Sequence, residues 1–507
     1  MNYLLGIDLG TSGTKTVIFD TDGTAIASAT TEYPLYQPQN GWAEQDSADW
    51  WAATQSTIQS VLQTSGIAAE NIKGIGISGQ MHGLVLLDEN GDVLRKSILW
   101  CDGRTTQECA EITACIGAEK LIAITANPAL PGFTAGKILW VRKHEPEIFA
   151  KTAHILLPKD YIRYKLTGVF ATEVSDASGM NLLDVTTRDW SGEILDKLQL
   201  NRKLFAKMYE SCDVTGVVTA TAAAATGLAV GTIVVGGAGD NAAAAVGTGV
   251  VSAGKAFTTL GTSGVVFAHA DSVTIDPKGR VHTFCAAVPG AYTVMSCTLA
   301  AGLSLKWFRD TLCESEVATA KTMGVDPYYL MDKEAETSPI GANRLLYLPY
   351  LMGERSPILD ANARGVWFGL SAMHTKTDML RAVMEGVLYA QKNCLDVLHE
   401  MHIAPATMLA CGGGGTSPFW RQMMADIYGC DVATVTNKEG PALGVAILAG
   451  VGAGIYPSVA AGCEAVLRYN KAQPPITENT DRYAQFYTVY KALYPALKQQ
   501  YSALAAL

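Results

Sequence analysis

The pentapeptide Leu-Gly-Thr-Ser-Gly occurs twice, at residues 9–13 and again at 260–264, about half of the 507-residue chain apart. Each copy closes a strand-like run and precedes another, TKTVIF after the first and VVFAHA after the second. Matching context at that spacing reads as an internal duplication. A chain of this length divides more readily into domains than it builds one core. Two domains of similar topology are therefore expected, facing each other across a cleft. The small-residue run Ala242–Gly249 is suited to be the hinge between them.

Around the first copy, Tyr3–Leu9, Thr16–Asp20 and Thr24–Thr31 are strand-like, the last two joined by Asp22-Gly23. Asp-Gly between such runs is a strong hairpin signal, so the three form an antiparallel meander. Residues 46–62 carry tryptophans and apolar side chains at helical spacing after a Ser/Asp-rich cap. Ile72–Ser78 is a buried strand, and Leu84–Leu94 is a second hairpin around Asn90-Gly91. Helices and strands then alternate to Gly239. The pattern is α/β with an antiparallel edge, and helices should cover both sheet faces.

Several functions are excluded by composition. Apolar residues at 49% against 17% charged rule out intrinsic disorder. The 38 basic and 48 acidic side chains leave a net charge of −10, which argues against nucleic acid or an anionic membrane as partner. Val214–Gly239 and Gly440–Cys463 lack charge over lengths that raise the question of membrane spans. Glycines break both, and the second holds Pro441 and Pro457, so both are expected as buried core. The N-terminus has no basic segment and meets Asp8, unlike a secretory leader. Eleven cysteines without a C-x-x-C pair are expected as free thiols in a reducing cytoplasm.

The run from Asp8 through Lys15 combines what a polyphosphate site needs: glycines that let backbone N–H groups approach, hydroxyls, a carboxylate for Mg²⁺ and a cation. Gly261-Thr262-Ser263 offers the same loop from the second copy. Taken alone, either loop is equally an ordinary hairpin turn. Neither is a Walker A sequence. TIVVGGAGDN (232–241) is a buried strand ending in glycines and then Asp240-Asn241, a position suited to a general base, or to a capping residue. Its G-x-G-x-x-A spacing lacks the acidic residue some 20 positions on that a dinucleotide fold requires. Four consecutive glycines, 412–415, precede a helix starting near Pro418, which makes a ready anion contact. Gly79–Gly83 turns His82 out at a strand end. No histidine set has zinc spacing.

These segments resemble the FGGY carbohydrate kinases of the actin-like ATPase superfamily. The carrying motifs are GIDLGTSGTK (6–15), WAEQDSADWW (42–51), SGQMHG (78–83), ILWCDGR (98–104), LPKDY (157–161), GGAGDNAAAAVG (236–247), LGTSG (260–264), LPYLMGERSP (348–357) and GPALG (440–444). Signature-like segments at 132–144 and 365–385 extend the resemblance over nearly the whole chain. It implies an α/β fold of two ribonuclease-H-like domains flanking a catalytic cleft. Residues 1–243 would bind the sugar and hold the catalytic aspartate, and residues 244–507 would bind the nucleotide.

Carried over by position, the resemblance makes Asp240 the base that deprotonates a sugar hydroxyl. Met81, His82, Asn241 and Lys159 become sugar contacts, and Asp8 the carboxylate near Mg²⁺. Gly10, Thr11 and Lys15 fall in one phosphate loop, Gly261 and Thr262 in the other, Gly413 and Ser417 in the nucleotide loop, and Trp307 near the adenine. The implied reaction is Mg²⁺-dependent transfer from ATP to the O5 hydroxyl of D-xylulose, the sugar the Met-His pair favours. Kinases for ribulose, gluconate or glycerol are the nearer rivals. An actin-like or chaperone-type ATPase would not need Asp240 and Met81-His82 facing the cleft, and a sensor without turnover would not need Asp8 and Asp240 intact. A homodimer is common in the family, although no single helix or patch announces an interface.

Overall fold

The computed structural model describes residues 1–437 and 439–507. The chain divides into two compact units. One comprises Met1–Ser252, His269–Thr293 and Asn437–Arg468, the other Ala253–Ala268, Val294–Thr436 and Tyr469–Leu507. The units are thus interleaved in sequence, unlike the single division after residue 243 expected above.

The first unit is built on a mixed sheet. β1 (Tyr3–Leu9), β2 (Gly13–Asp20) and β3 (Ala25–Glu32) form the expected antiparallel meander. Asp20 closes its Asp22-Gly23 turn by accepting the N–H groups of Asp22 and Thr24. β4 (Ile72–Gly79) runs parallel to β1, and β5 (Val214–Val217) and β6 (Ile233–Val235) extend the sheet in the order β5-β6-β4-β1-β2-β3. The centre is parallel and both edges are antiparallel.

Central strands of this kind must be covered on both faces. Leu5, Ile7 and Leu9 share one core with Trp50, Ile58 and Val61 of α1 (Ser47–Ser65), whose N-terminus Asp46 caps through the Ala48 N–H. Leu4, Val17 and Phe19 share the other with Val445, Ile447 and Leu448 of the helix Gly440–Gly452. That uncharged stretch is therefore core, and among the described residues no helix is long and apolar enough to cross a membrane.

One expectation needs correction. The run 242–249 is no hinge: it lies in the helix α2 (Asp240–Thr248), packed on Gly440–Gly452. A Cβ at Gly247 would fall 2.0 Å from the Gly440 carbonyl, and one at Gly444 would fall 1.9 Å from that of Ala243. Small residues here let two helices touch, and a cut at 243/244 would sever a continuous helix. The turn at Asn90-Gly91 does form, capped by Asp88. Its arms are joined by Asp88 N–H to Asp92 O at 3.0 Å and Leu94 N–H to Leu86 O at 2.9 Å, and the first arm also pairs with His154–Leu156.

The second unit repeats the scheme. β7 (Lys255–Leu260) and β8 (Gly264–Ala270) are an antiparallel hairpin with the second pentapeptide at its turn. β9 (Tyr292–Thr298), β10 (Thr407–Cys411) and β11 (Asp431–Ala433) extend the hairpin in the order β9-β8-β7-β10-β11, five strands of a six-stranded sheet. β7 is parallel to β10 as β1 is to β4, which is the duplication expected from the sequence. Among the described residues no disulfide links any of the eleven cysteines.

Candidate active site

The register of the first sheet delivers two carboxylates to one edge. Asp8 stands opposite Ser78 and Leu9 opposite Gly79, while Ala238 and Gly239 pair with the same Ser78 and Gly79 from the other side. The strand ends are flush, so Asp8 and Asp240 emerge at the carboxyl edge of parallel strands, where α/β proteins bind ligands. Asp240 is the first residue of α2. The Asn241 N–H and Nδ2 donate to its Oδ1 at 2.7 and 3.1 Å. Among the described residues no hydrogen bond reaches Oδ2. Burial, and then the charge of Asp8, push the Asp240 carboxyl up to about 7. A carboxylate poised there can accept a proton at neutral pH.

Asp8 Oδ1 is buried and has no hydrogen-bond partner among the described residues, and burial raises this carboxyl above its usual range. An orphaned carboxylate oxygen beside a second carboxylate fits a hard cation. Mg²⁺ typically takes one or two carboxylates and fills its shell with water and substrate phosphate. Among the described residues no group of three His, Cys, Asp or Glu would cage a metal alone.

The sugar-turn residues sit beside this edge. Met81 is buried, and a Cβ on Gly239 would fall 2.8 Å from its Cγ. His82 takes a left-handed backbone (φ 67°), stacks on Phe133 at 4.5 Å and bonds Gly179 O through Nδ1 at 2.7 Å. A carbonyl only accepts, so Nδ1 carries the proton in that bond. Any side chain at 179 would collide with the ring, 2.4 Å from Cε1. Sequence reasoning missed Lys137, whose buried ammonium donates to His82 O and Gly132 O, both at 2.7 Å. Burial pulls this amine down to about 7. Its place within GFTAGKILW gave no sign that it reaches the sugar turn.

The first pentapeptide is held from below. Gly10 N–H donates to Gly13 O at 3.0 Å, the Tyr33 hydroxyl donates to Gly10 O, and Gln45 Nε2 donates to Thr11 O at 2.6 Å. The Thr11 hydroxyl accepts from Trp100 Nε1 at 3.0 Å. Lys15 is ion-paired with Glu439, so its charge is partly spent within the unit.

The second pentapeptide lines a cavity of about 500 Å³ in the second unit. Gly261 and Thr262 form one wall with the start of α3 (Gly302–Leu312), and Tyr328, Tyr329 and Asp332 of α4 (Pro327–Thr337) form another. Gly413, Gly414 and Ser417 close it at the start of α5 (Pro418–Tyr428), which Ser417 caps by accepting the Trp420 N–H at 3.0 Å. Two aromatic rings and glycine-bounded backbone suit a base and its phosphates. Tyr328, Tyr329 and Asp332 escaped sequence reasoning because nothing local ties them to the loop at 261.

Two carried-over contacts do not hold. Lys159 is wholly enclosed, with its ammonium 2.7 Å from Asp160, 3.2 Å from Glu173 and 3.4 Å from Asp176. Three carboxyls consume its charge, and no face remains for a sugar. Trp307 lies on α3 but stacks against Trp367 at 5.7 Å, and it is not among the cavity walls, to which Leu303 and Lys306 belong instead.

Known proteins share this sequence and fold. The FGGY family of carbohydrate kinases matches residues 3–247 with its N-terminal domain and 256–453 with its C-terminal domain. A xylulose kinase of Bacillus subtilis (strain 168) and one of Escherichia coli (strain K12) are each 40% identical over 504 residues, 99% of both chains. The crystal structure of a xylulose kinase from Rhodospirillum rubrum superposes with a TM-score of 0.92 at 30% identity, over 99% of this chain and 100% of that one. The fold is that of the actin-like ATPases, and the chain belongs to the FGGY family of carbohydrate kinases.

Proposed function

We propose that the protein transfers the γ-phosphoryl group of ATP to the O5 hydroxyl of D-xylulose. The observation that carries this reading is Asp240: a carboxylate at a parallel-strand edge, held through one oxygen only and raised to about 7, beside Asp8. It stands in a chain that matches xylulose kinases over 99% of its length.

In this reading Asp240 Oδ2 accepts the proton of the attacking hydroxyl, while Asn241 keeps the carboxylate from turning. Met81 and His82 orient the sugar. The Gly413 N–H and the hydroxyls of Thr262 and Ser417 receive the nucleotide's phosphates, with the base in the cavity beside Tyr328 and Tyr329. Phosphoryl transfer requires little beyond positioning and charge stabilisation, which this donor set supplies. Asp8 would hold Mg²⁺, whose charge offsets that of the phosphates. The cytoplasm is the compartment consistent with eleven cysteines of which none is paired in a disulfide. A coupled ADP-release assay across pentoses, pentuloses and polyols tests the substrate. D-xylulose should show the highest kcat/KM, and a higher value for D-ribulose or glycerol would displace it.

A further inference from the structure

Behind the Asp240 edge the first unit buries a cluster of charge. Lys159, Asp160, Arg163, Glu173 and Asp176 are each no more than 1% exposed. Apolar side chains of similar volume would stabilise a core at least as well, so the use of such a cluster lies in what it holds. It holds the backbone leading into Asp240. Arg163 Nη1 donates to Gly236 O at 2.5 Å. Ser175 Oγ accepts the Gly239 N–H at 3.2 Å and donates to Glu173 Oε1 at 2.9 Å. Glu173 pairs with Lys159, Lys159 donates to Asp160, and Asp160 accepts from Arg163 at 2.8 Å. Polar contacts therefore run unbroken between the two ends of the segment 236–239. Lys159 is also wedged under the neighbouring strand end, where a Cβ on Gly79 would fall 2.9 Å from its own.

We infer that this cluster, linked through Ser175, is the positioning frame of the catalytic base, fixing residues 236–239 and so the direction in which Asp240 offers Oδ2. The inference rests on Asp240 being the base. Asp176 lies in the same cluster. Neither of its oxygens is hydrogen-bonded among the described residues, and Lys159 stays 3.4 Å away. Burial is the main cause holding this carboxyl well above its ordinary range; Asp160, Glu173 and Asp240 add to it, and Lys159 opposes it without prevailing.

Ser175→Ala tests the frame while leaving every charge in place. Small misplacements of a catalytic group are costly, so kcat should fall about tenfold. KM for D-xylulose and for MgATP should stay within about twofold. The midpoint of the kcat–pH profile should move down from near 7, because a loosened Asp240 is better hydrated. Wild-type kcat and an unmoved midpoint in Ser175→Ala would overturn the frame, as would a raised sugar KM at unchanged kcat. Asp240→Asn, assayed alongside, separates the two levels. An inactive Asp240→Asn beside a normal Ser175→Ala removes the frame alone, whereas an active Asp240→Asn removes the base and the frame together.

Discussion

The two Leu-Gly-Thr-Ser-Gly segments are identical in sequence and different in structure. In the first, Leu9 pairs with Thr14, so four residues make the turn, and Gly10 N–H closes it onto Gly13 O. In the second, Leu260 pairs with Gly264, three residues make the turn, and Gly261 N–H reaches Ser263 O. The carbonyls diverge further. Those of Gly10 and Thr11 are taken by Tyr33 and Gln45, whereas those of Gly261 and Thr262 accept N–H groups from Ala301, Gly302 and Leu303 at the start of α3. One position upstream the first copy has Asp8 and the second Thr259. Five residues specify a tight turn after a strand. The neighbours decide whether it becomes a carboxylate edge or the wall of a cavity.

That contrast can be broken by substitution. Asp8→Asn should lower kcat by about 10²–10³, the usual loss when one preorganised electrostatic group is removed. Its counterpart Thr259→Val should leave kcat within about twofold if the second loop has no part in the chemistry. Steady-state kinetics on both variants decide this, and equal losses would erase the distinction between the loops.

The next effect is on nucleotide binding. The exposed Thr262 hydroxyl faces the cavity, whereas that of Thr11 already accepts from Trp100. A charge-assisted hydrogen bond is worth about 1.5–3 kcal/mol, so Thr262→Val should raise the KM for ATP roughly 10- to 100-fold. Thr11→Val should raise it less. A larger effect at Thr11 would reverse the assignment of the cavity.

The smallest effect is on stability. With its carboxyl at about 7 when folded and about 3.9 when unfolded, Asp240 binds its proton more tightly in the native state. Stability is then lost as pH rises between those values and stays constant above them. Asp240→Asn removes that loss. Allowing for partial exposure, the variant should be more stable than wild type by about 1–3 kcal/mol at pH 8, with the gap closing toward pH 4. Melting curves across that range would show it, and a gap independent of pH would mean the carboxyl is unperturbed.

What was legible in the sequence follows the same division between local and distant. Tyr3–Leu9, the Asp22-Gly23 turn, the helix beginning near Asp46 and the helix start near Pro418 are set by neighbours within a few residues, and each formed where it was read. Asp8 and Asp240 were found because strand ends followed by glycine mark ligand edges. The alanine- and glycine-rich run at 242–249 misled because smallness serves a hinge and a close helix contact equally, and its partner at Gly440 lies nearly two hundred residues away. Lys159 misled for a related reason. Its three carboxyl partners, only one of them adjacent in sequence, come together through folding. Trp307 was carried over from the resemblance by position, and its ring instead lies against Trp367.

The central claim is that Asp240 removes the proton from the sugar hydroxyl, and Asp240→Asn under single-turnover conditions addresses it without interference from product release. General-base catalysis contributes about 10²–10⁴-fold, so the rate of transfer from ATP to D-xylulose should fall by that factor. D-xylulose and ATP should still bind with near wild-type affinity by calorimetry, because Asn is nearly isosteric and leaves the sugar turn and the cavity in place. The wild-type rate should itself rise with pH through a midpoint near 7. A variant that retains more than roughly a third of the wild-type rate would contradict the assignment, since no base could then be acting from that position.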